Sequence, residues 1–293
     1  MKLGAHLPLI DFDGSPVDPS MLRRYVDAAG DNGFSAITAN DHLVFQRPWL
    51  DGIVTLASVL ERSGDLTLAT TVALPVIRGP AALAKAAAAL QILSGDRFVL
   101  GVGPGSSAAD YDLVMVPFEE RWPRFDNAVR VLRSALSELE PVPSRPVPVW
   151  IGSWGSAAGL RRVARLGDGW LASAYNTTPE QLAAGRDSLH TALREVDRED
   201  ASFPIGLATM WTYLTNSKAE AQAKLDALAA MLKRDPAMLA DQVLIGDAEA
   251  CLAKLASYAD AGAGTAFLWP IGDPVTQLER LGAEVVPHLA HAS

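Results

Sequence analysis

Apolar and polar positions along this chain follow a repeating order: a short β-forming run, then a stretch with apolar residues at helical spacing. Residues 2–7 predict a first strand. Asp18-Pro19 then supplies a helix start, a capping carboxylate followed by proline at the first helical position. Leu22, Tyr25, Val26 and Ala29 share one face of that helix, Gly33 ends the segment, and residues 34–38 form a second strand. The order returns with a helix over 49–62, a strand over 66–72, a helix over 80–93 stopped by Ser94-Gly95, and a strand over 98–102. Phe125, Ala128, Val129, Leu132, Leu136 and Leu139 mark a long amphipathic helix. A strand over 147–151, a helix around Leu160, Val163 and Ala164, a strand over 169–172 and a helix over 179–196 come next. The pattern closes with a strand over 205–214, helices over 217–233 and 248–261, a strand over 265–269 and a helix over 275–289.

Strands that alternate with helices pair in parallel. Eight of them without a break in composition predict one α/β domain spanning residues 1–293, a closed (β/α)8 TIM barrel in preference to an open doubly wound sheet. The 293 residues are 49% hydrophobic and 20% charged, enough to bury a large core. The four prolines between Pro141 and Pro148 read as a rigid connection between a helix and a strand.

A net charge of −9 argues against a nucleic-acid or anionic-membrane partner, which needs a basic face. The single cysteine, Cys251, forms no internal disulfide and reads as a small buried residue. The alanine-rich run before Leu93 is interrupted by Lys85 and Gln91 and is too short to span a bilayer. The apolar run at the N-terminus is too short for a signal peptide. These points predict a soluble cytoplasmic protein.

In barrels of this kind the active site lies where the strands end at their C-terminal side. The residues expected there are polar or rich in glycine: Asn40-Asp41-His42, Gly103-Pro104-Gly105-Ser106-Ser107, Gly152-Ser153-Trp154-Gly155-Ser156 and Trp269-Pro270. Histidine as a residue type suits proton transfer near neutral pH, and His42 has the carboxylate of Asp41 beside it in sequence, which makes the two the best acid/base candidates. A structural hydrogen bond at a strand end is the competing reading for them. The glycine segment at 103–105 is neither a Walker loop nor a complete G-x-G-x-x-G, because Ala108 takes the last glycine's place. The segment starting at Gly152 opens a helix, so its free N–H groups suit a phosphate. Trp49, Trp211 and Trp269 suit a flat apolar ring, although core packing is the commoner role for tryptophan. His6, His42, His190, His288 and His291 are scattered, so no metal site is expected. No G-x-S-x-G nucleophile elbow occurs.

Residues 33–42, the stretch from Leu66 through Arg78-Gly79-Pro80 and Ser94-Gly95-Asp96-Arg97 to Gly103, Pro148 to Gly152 followed by Gly167-Asp168-Gly169-Trp170, and the tail from Leu278 to Pro287 together resemble the luciferase-like monooxygenase family. That resemblance covers nearly the whole chain. It implies a barrel that binds the deazaflavin coenzyme F420 or FMN. It also implies a cis peptide at Thr71-Val72 behind the cofactor ring, with Asp41 and His42 beside the ring. The segments containing Gly103, Pro104 and Gly105 and containing Gly152, Ser153, Trp154 and Gly155 become cofactor contacts. His6, Trp49 and Trp269 become candidates for the substrate side.

The Asp-His pair and the Gly-x-Gly look more like the F420 branch, whose cofactor has carbon where flavin has its reactive nitrogen and so transfers hydride. The expected activity is hydride transfer between F420 and a small organic substrate. The alternative is an FMN-dependent monooxygenase fed reduced flavin by a separate reductase. A homodimer is implied by the same resemblance. Sugar-phosphate dehydrogenases of this branch carry an acid where Ser106 and Ser107 stand here, so a sugar-phosphate substrate does not carry over.

Overall fold

Strands and neighbouring strands pair in parallel throughout the computed structural model, which describes residues 1–10, 18–198 and 203–289. The strands are β1 (Lys2–His6), β2 (Ala36–Ala39), β3 (Thr67–Ala73), β4 (Phe98–Val102) and β5 (Val149–Gly152), then β6 (Gly169–Ser173), β7 (Ile205–Leu214), β8 (Leu244–Gly246) and β9 (Thr265–Pro270). They pair in the order β6-β5-β4-β3-β2-β1-β9-β7, and β6 pairs with β7 to close a ring of eight. The (β/α)8 barrel expected from the alternating pattern is the observed fold.

Large rings fill the barrel where their neighbours have no side chain. Phe267 and Leu171 are buried with Ala36, and Trp150 packs against them. A Cβ on Gly4 would lie 2.6 Å from Phe267, and one on Gly169 would lie 2.7 Å from Trp150. Around the ring, strand residues such as Leu68, Leu100 and Ile151 pack with helix residues such as Leu83, Val129 and Val163. Burying each such side chain contributes roughly 1.5–3 kcal/mol against the entropy of ordering the chain.

β8 was not expected from the pattern. It lies outside the ring and pairs with Thr212–Leu214 at the far end of β7. With the helices Lys218–Leu232 and Pro236–Ala240 it surrounds a second apolar cluster that includes Trp211, Trp269, Leu225, Leu228 and Leu239. β7 reaches this annex through an irregularity between Leu207 and Met210 in its pairing with β9, where Thr209 has φ +61°. Three residues of strand carry too little periodicity to be legible.

Other elements differ at their ends. The helix expected over 49–62 begins only at Gly52, because Asp51 caps it by accepting from Val54 N–H at 2.9 Å. It runs to Ser58 and gives way to a 3-10 turn, Leu60–Arg62. The closing helix splits into Pro274–Glu284 and Val286–Leu289, where Pro287 has no N–H to continue the ladder. Short helices Pro75–Arg78 and Ala108–Leu113 occupy what read as loops after β3 and β4.

Among the described residues no helix is long and apolar enough to cross a membrane, and no three His, Cys, Asp or Glu side chains cluster as metal ligands. His291 lies outside the described residues. Cys251 is buried, and burial pushes its thiol up to about 11.

Candidate active site

The turns that follow the strands open into one cavity of about 440 Å³. This lies within the size range that holds a small-molecule ligand. β2 delivers Asn40, Asp41 and His42 to its wall, and β3 delivers Thr71 and Val72. The turn after β4 contributes Gly103, Pro104 and Gly105, and the turn after β5 contributes Gly152, Ser153 and Trp154. Trp49 and Trp269 line it as well.

β3 loses its regular pairing with β4 between Thr70 and Ala73, and the Thr71–Val72 peptide is cis. Val72 stands between two glycines. A Cβ on Gly103 would meet Val72 Cγ2 at 2.8 Å, and one on Gly152 would meet Val72 Cγ1 at 3.3 Å. Both turns therefore reach the cavity wall through bare backbone. The turn after β5 is held rigidly. Ser153 N–H donates to Leu171 O at 3.0 Å, and the buried Trp170 indole donates to Ser153 O at 2.9 Å. The helix Ala157–Leu166 starts just beyond, capped by Ser156.

Three expectations need correction. Asp41 does not orient His42. Its carboxylate accepts from Arg78 Nε at 2.6 Å, from Arg78 Nη2 at 2.7 Å and from Leu74 N–H at 3.0 Å. Arg78 also donates to Asp51 at 2.5 Å. Burial works against the charge on Arg78, but the bonds to Asp41 and Asp51 prevail and hold the guanidinium above its ordinary range. Asp41 thus faces the cavity as the neutralised half of a strut joining the β2 turn to the β3 turn. The acidic residue next to the histidine in sequence turns to a different partner here, Arg78, although both line the cavity.

The second correction concerns His6. It does not line the cavity but lies behind it. Its ring stacks on Trp269 with centroids 3.6 Å apart, and its Nε2 lies 3.1 Å from Asn40 Oδ1. Burial pulls its titration down to about 3, so it is neutral at ordinary pH. Gly155 is likewise absent from the wall, and its N–H donates to Ser153 Oγ at 3.3 Å.

His42 finds its carboxylate elsewhere. Its Nδ1 lies 3.2 Å from Asp110 Oδ2, and the Asp110 side chain is 2% exposed. The same carboxylate accepts from Leu43 N–H at 3.0 Å and from Val44 N–H at 2.7 Å. Burial opposes the charge on Asp110, but the bonds from His42 and the two backbone groups prevail and hold its carboxyl below the usual carboxylate range. At neutral pH Asp110 has no proton to share, so the hydrogen of this bond belongs to His42 Nδ1. His42 Nε2 has no partner among the described residues.

Asp110 was not singled out by the sequence. A signal was present, because Ser107-Ala108-Ala109-Asp110 directly follows the glycine turn and has the S-x-x-D form of a helix start. Ser107 does cap that helix by accepting from Asp110 N–H at 3.3 Å. Arg121 was also missed. It lines the cavity, stacks 4.0 Å over Phe118 and makes no ion pair among the described residues.

A ring-bearing anionic cofactor suits this wall. Thr71 Oγ1, Trp49 Nε1 and Trp269 Nε1 are buried and have no hydrogen-bond partner among the described residues. Unpaired buried donors of this kind are costly unless a ligand satisfies them. The bare backbone at Gly103 and Gly152 makes room for the Val72 side chain in the wall, an apolar surface suited to the face of a flat ring. Arg121 and the first turn of the helix at Ala157 offer positive charge to an anionic tail.

The luciferase-like monooxygenase family model matches residues 10–265. The chain belongs to that family. It is 31% identical over 212 residues to an F420-dependent glucose-6-phosphate dehydrogenase of Nakamurella multipartita, covering 62% of this chain and 61% of that one. It is 25% identical over 307 residues to an F420-dependent hydroxymycolic acid dehydrogenase of Mycobacterium tuberculosis, covering 92% and 84%. Against three uncharacterised mycobacterial proteins the match is 36% over 111 residues and spans 38% of their length. Among solved structures, an F420-dependent secondary alcohol dehydrogenase superposes with a TM-score of 0.86 at 15% identity, covering 97% of this chain and 98% of that one. At that identity the superposition speaks for the fold.

Proposed function

We propose that this chain is an F420-dependent oxidoreductase that moves a hydride between the deazaflavin and a small organic substrate, with His42 handling the accompanying proton. The observation that carries this reading is the His42–Asp110 pair at the rim of a cavity whose wall is Val72 between two glycine turns. The dehydrogenase from Mycobacterium tuberculosis, matched over 92% of this chain, supports the choice of cofactor.

When bound, F420 supplies a carbon that accepts or releases hydride, two electrons at a time. Thr71, Val72, Gly103 and Gly152 are the residues that would hold the ring. Ser153, Arg121 and the helix starting at Ala157 are those that would hold its anionic tail.

The chain's own contribution is orientation and proton transfer. Asp110 accepts a hydrogen bond from His42 Nδ1–H, which leaves His42 Nε2 as the acceptor for a substrate hydroxyl proton. In the opposite direction a protonated His42 gives that proton back, and the Asp110 carboxylate stabilises the positive ring.

The test is His42→Ala. Turnover with F420 is expected to fall by roughly 10²–10⁴-fold, the usual range for losing a general acid or base, while F420 affinity stays within about twofold. Unchanged turnover removes His42 from the mechanism. Loss of F420 affinity with turnover gives it a binding role instead.

A further inference from the structure

The short helix Ala108–Leu113 buries two side chains, Asp110 and Tyr111. A helix this short has no stability of its own, so tertiary contacts hold it in place. Successive helical residues point about 100° apart, and these two reach different turns. Asp110 reaches the turn after β2, where it accepts from His42 and from the Leu43 and Val44 N–H groups. Tyr111 reaches back to the turn after β4, where its hydroxyl donates to Pro104 O.

That turn has little else to hold it. Gly103 N–H donates to Ala73 O at 3.0 Å. Pro104 has no N–H, and those of Gly105 and Ser106 have no acceptor among the described residues. Gly105 has φ +81° and faces the Tyr111 ring, whose Cε2 would lie 3.6 Å from a Cβ there. All four residues of the turn, 103–106, line the cavity. The Tyr111 ring also meets Phe118 edge-on, with centroids 5.4 Å apart. Burial pushes the Tyr111 hydroxyl up to about 12, so it keeps its proton and remains a donor at ordinary pH. Proton transfer at His42 makes no use of this hydroxyl. Its bond acts on the turn alone.

We propose that Tyr111 is a positioning residue for the cofactor: its hydroxyl, through Pro104 O, holds the glycine turn after β4 in the shape that the cofactor meets. This rests on the reading given under the proposed function, which puts the redox ring beside Gly103. One short helix then serves two separable tasks. Asp110 sets the histidine that moves the proton, and Tyr111 sets the turn that binds the ring.

The experiment compares F420 isotherms of the wild type, Tyr111→Phe and Tyr258→Phe. Backbone order parameters and His42 ring-nitrogen shifts are recorded by NMR on the same proteins without cofactor. Tyr111→Phe keeps the ring against Gly105 and Phe118 and removes only the bond to Pro104. Its F420 affinity is expected to fall about fivefold, the effect of losing one buried hydrogen bond. The order parameters of Gly105 and Ser106 are expected to fall with it, while the His42 ring nitrogens keep their wild-type shifts. Tyr258 donates to Thr177 O at 2.8 Å on another side of the barrel. Tyr258→Phe loses an equivalent bond and is expected to bind F420 within about twofold of the wild type. Wild-type affinity or unchanged order parameters in Tyr111→Phe overturn the inference. So does an equal loss of affinity in Tyr258→Phe, which marks a general effect of lost stability, and so do altered His42 shifts in Tyr111→Phe, which join the two tasks. If the wild type binds no F420, the cofactor reading falls by itself. The hold of Tyr111 on the turn then stands if Gly105 and Ser106 lose order in Tyr111→Phe, and falls if they do not.

Discussion

His42 Nδ1 lies 3.2 Å from an oxygen of Asp110, a residue 68 positions further along the chain. The bond joins the turn after β2 to the short helix after β4, across the intervening β3. Asp110 also fixes the backbone at Leu43 and Val44, so one buried carboxylate sets both the position and the tautomer of the histidine.

Asp110→Asn separates those two tasks. The amide oxygen can still accept from the Leu43 and Val44 N–H groups, but its NH2 faces the Nδ1 hydrogen. The imidazole then places its hydrogen on Nε2 and can no longer accept a proton there. Turnover is expected to fall by roughly 10²-fold, with F420 affinity within about twofold and the fold intact. Wild-type turnover in this variant removes Asp110 from the role of positioning residue.

Arg78 carries the strut between the β2 and β3 turns, and its side chain is 21% exposed against 6% for Asp41. Arg78→Met leaves the Asp41 carboxylate buried with only the Leu74 N–H. The expected loss of stability is about 3 kcal/mol, the cost of breaking a largely buried pair from one side. The double variant Asp41→Asn with Arg78→Met is expected to recover part of that loss. Denaturant unfolding of the two single variants and the double variant measures the coupling. Additive losses contradict the strut.

His6 makes the protein sensitive to mild acid. Its ordinary titration near 6.5 is pulled down to about 3 in the fold by burial. Between those limits the unfolded chain binds a proton at this position that the folded chain does not. Stability therefore rises with pH through this window, by up to about 1.4 kcal/mol per unit from this group, and the contribution levels off above it. His6→Phe keeps a ring against Trp269 and removes the proton. Its denaturation midpoint between pH 4 and pH 6.5 is expected to vary less steeply than that of the wild type. Equal slopes in the two proteins contradict the assignment.

Gly103 reaches the wall because it has no side chain. Gly103→Val places new atoms within 2.8 Å of Val72 Cγ2 and pushes one of the two valines into the cavity. F420 affinity is expected to fall about tenfold or more, corresponding to roughly 1.4 kcal/mol or more of lost binding. Unaltered affinity indicates that the ring binds elsewhere.

Much of this fold was legible because parallel strands buried on both faces read as short apolar runs with helices between them. The glycine turns after β4 and β5 were legible for a related reason, since glycine marks places where backbone must come close to something. Side-chain pairing was not legible. Nothing local distinguishes Asp41 from Asp110 as the partner of His42, because the choice depends on strand-end direction and on a short helix that the pattern did not predict. Arg78 and Asp41 meet for the same reason. His6 is a substrate-side candidate in the sequence, but its ring turns behind Trp269, and only packing shows that. The annex around β8 escaped because three residues of strand pair with the overhang of β7 alone.

The proposed deazaflavin site is formed by turns from several strands together. The most direct measurement is a binding isotherm for F420 on the purified chain, run beside an identical titration with FMN and repeated with Gly103→Val. Saturable F420 binding, weaker FMN binding, and a loss of about tenfold or more in the variant are expected. Tight FMN binding with no F420 binding, or an F420 isotherm that Gly103→Val leaves unchanged, contradicts the deazaflavin site.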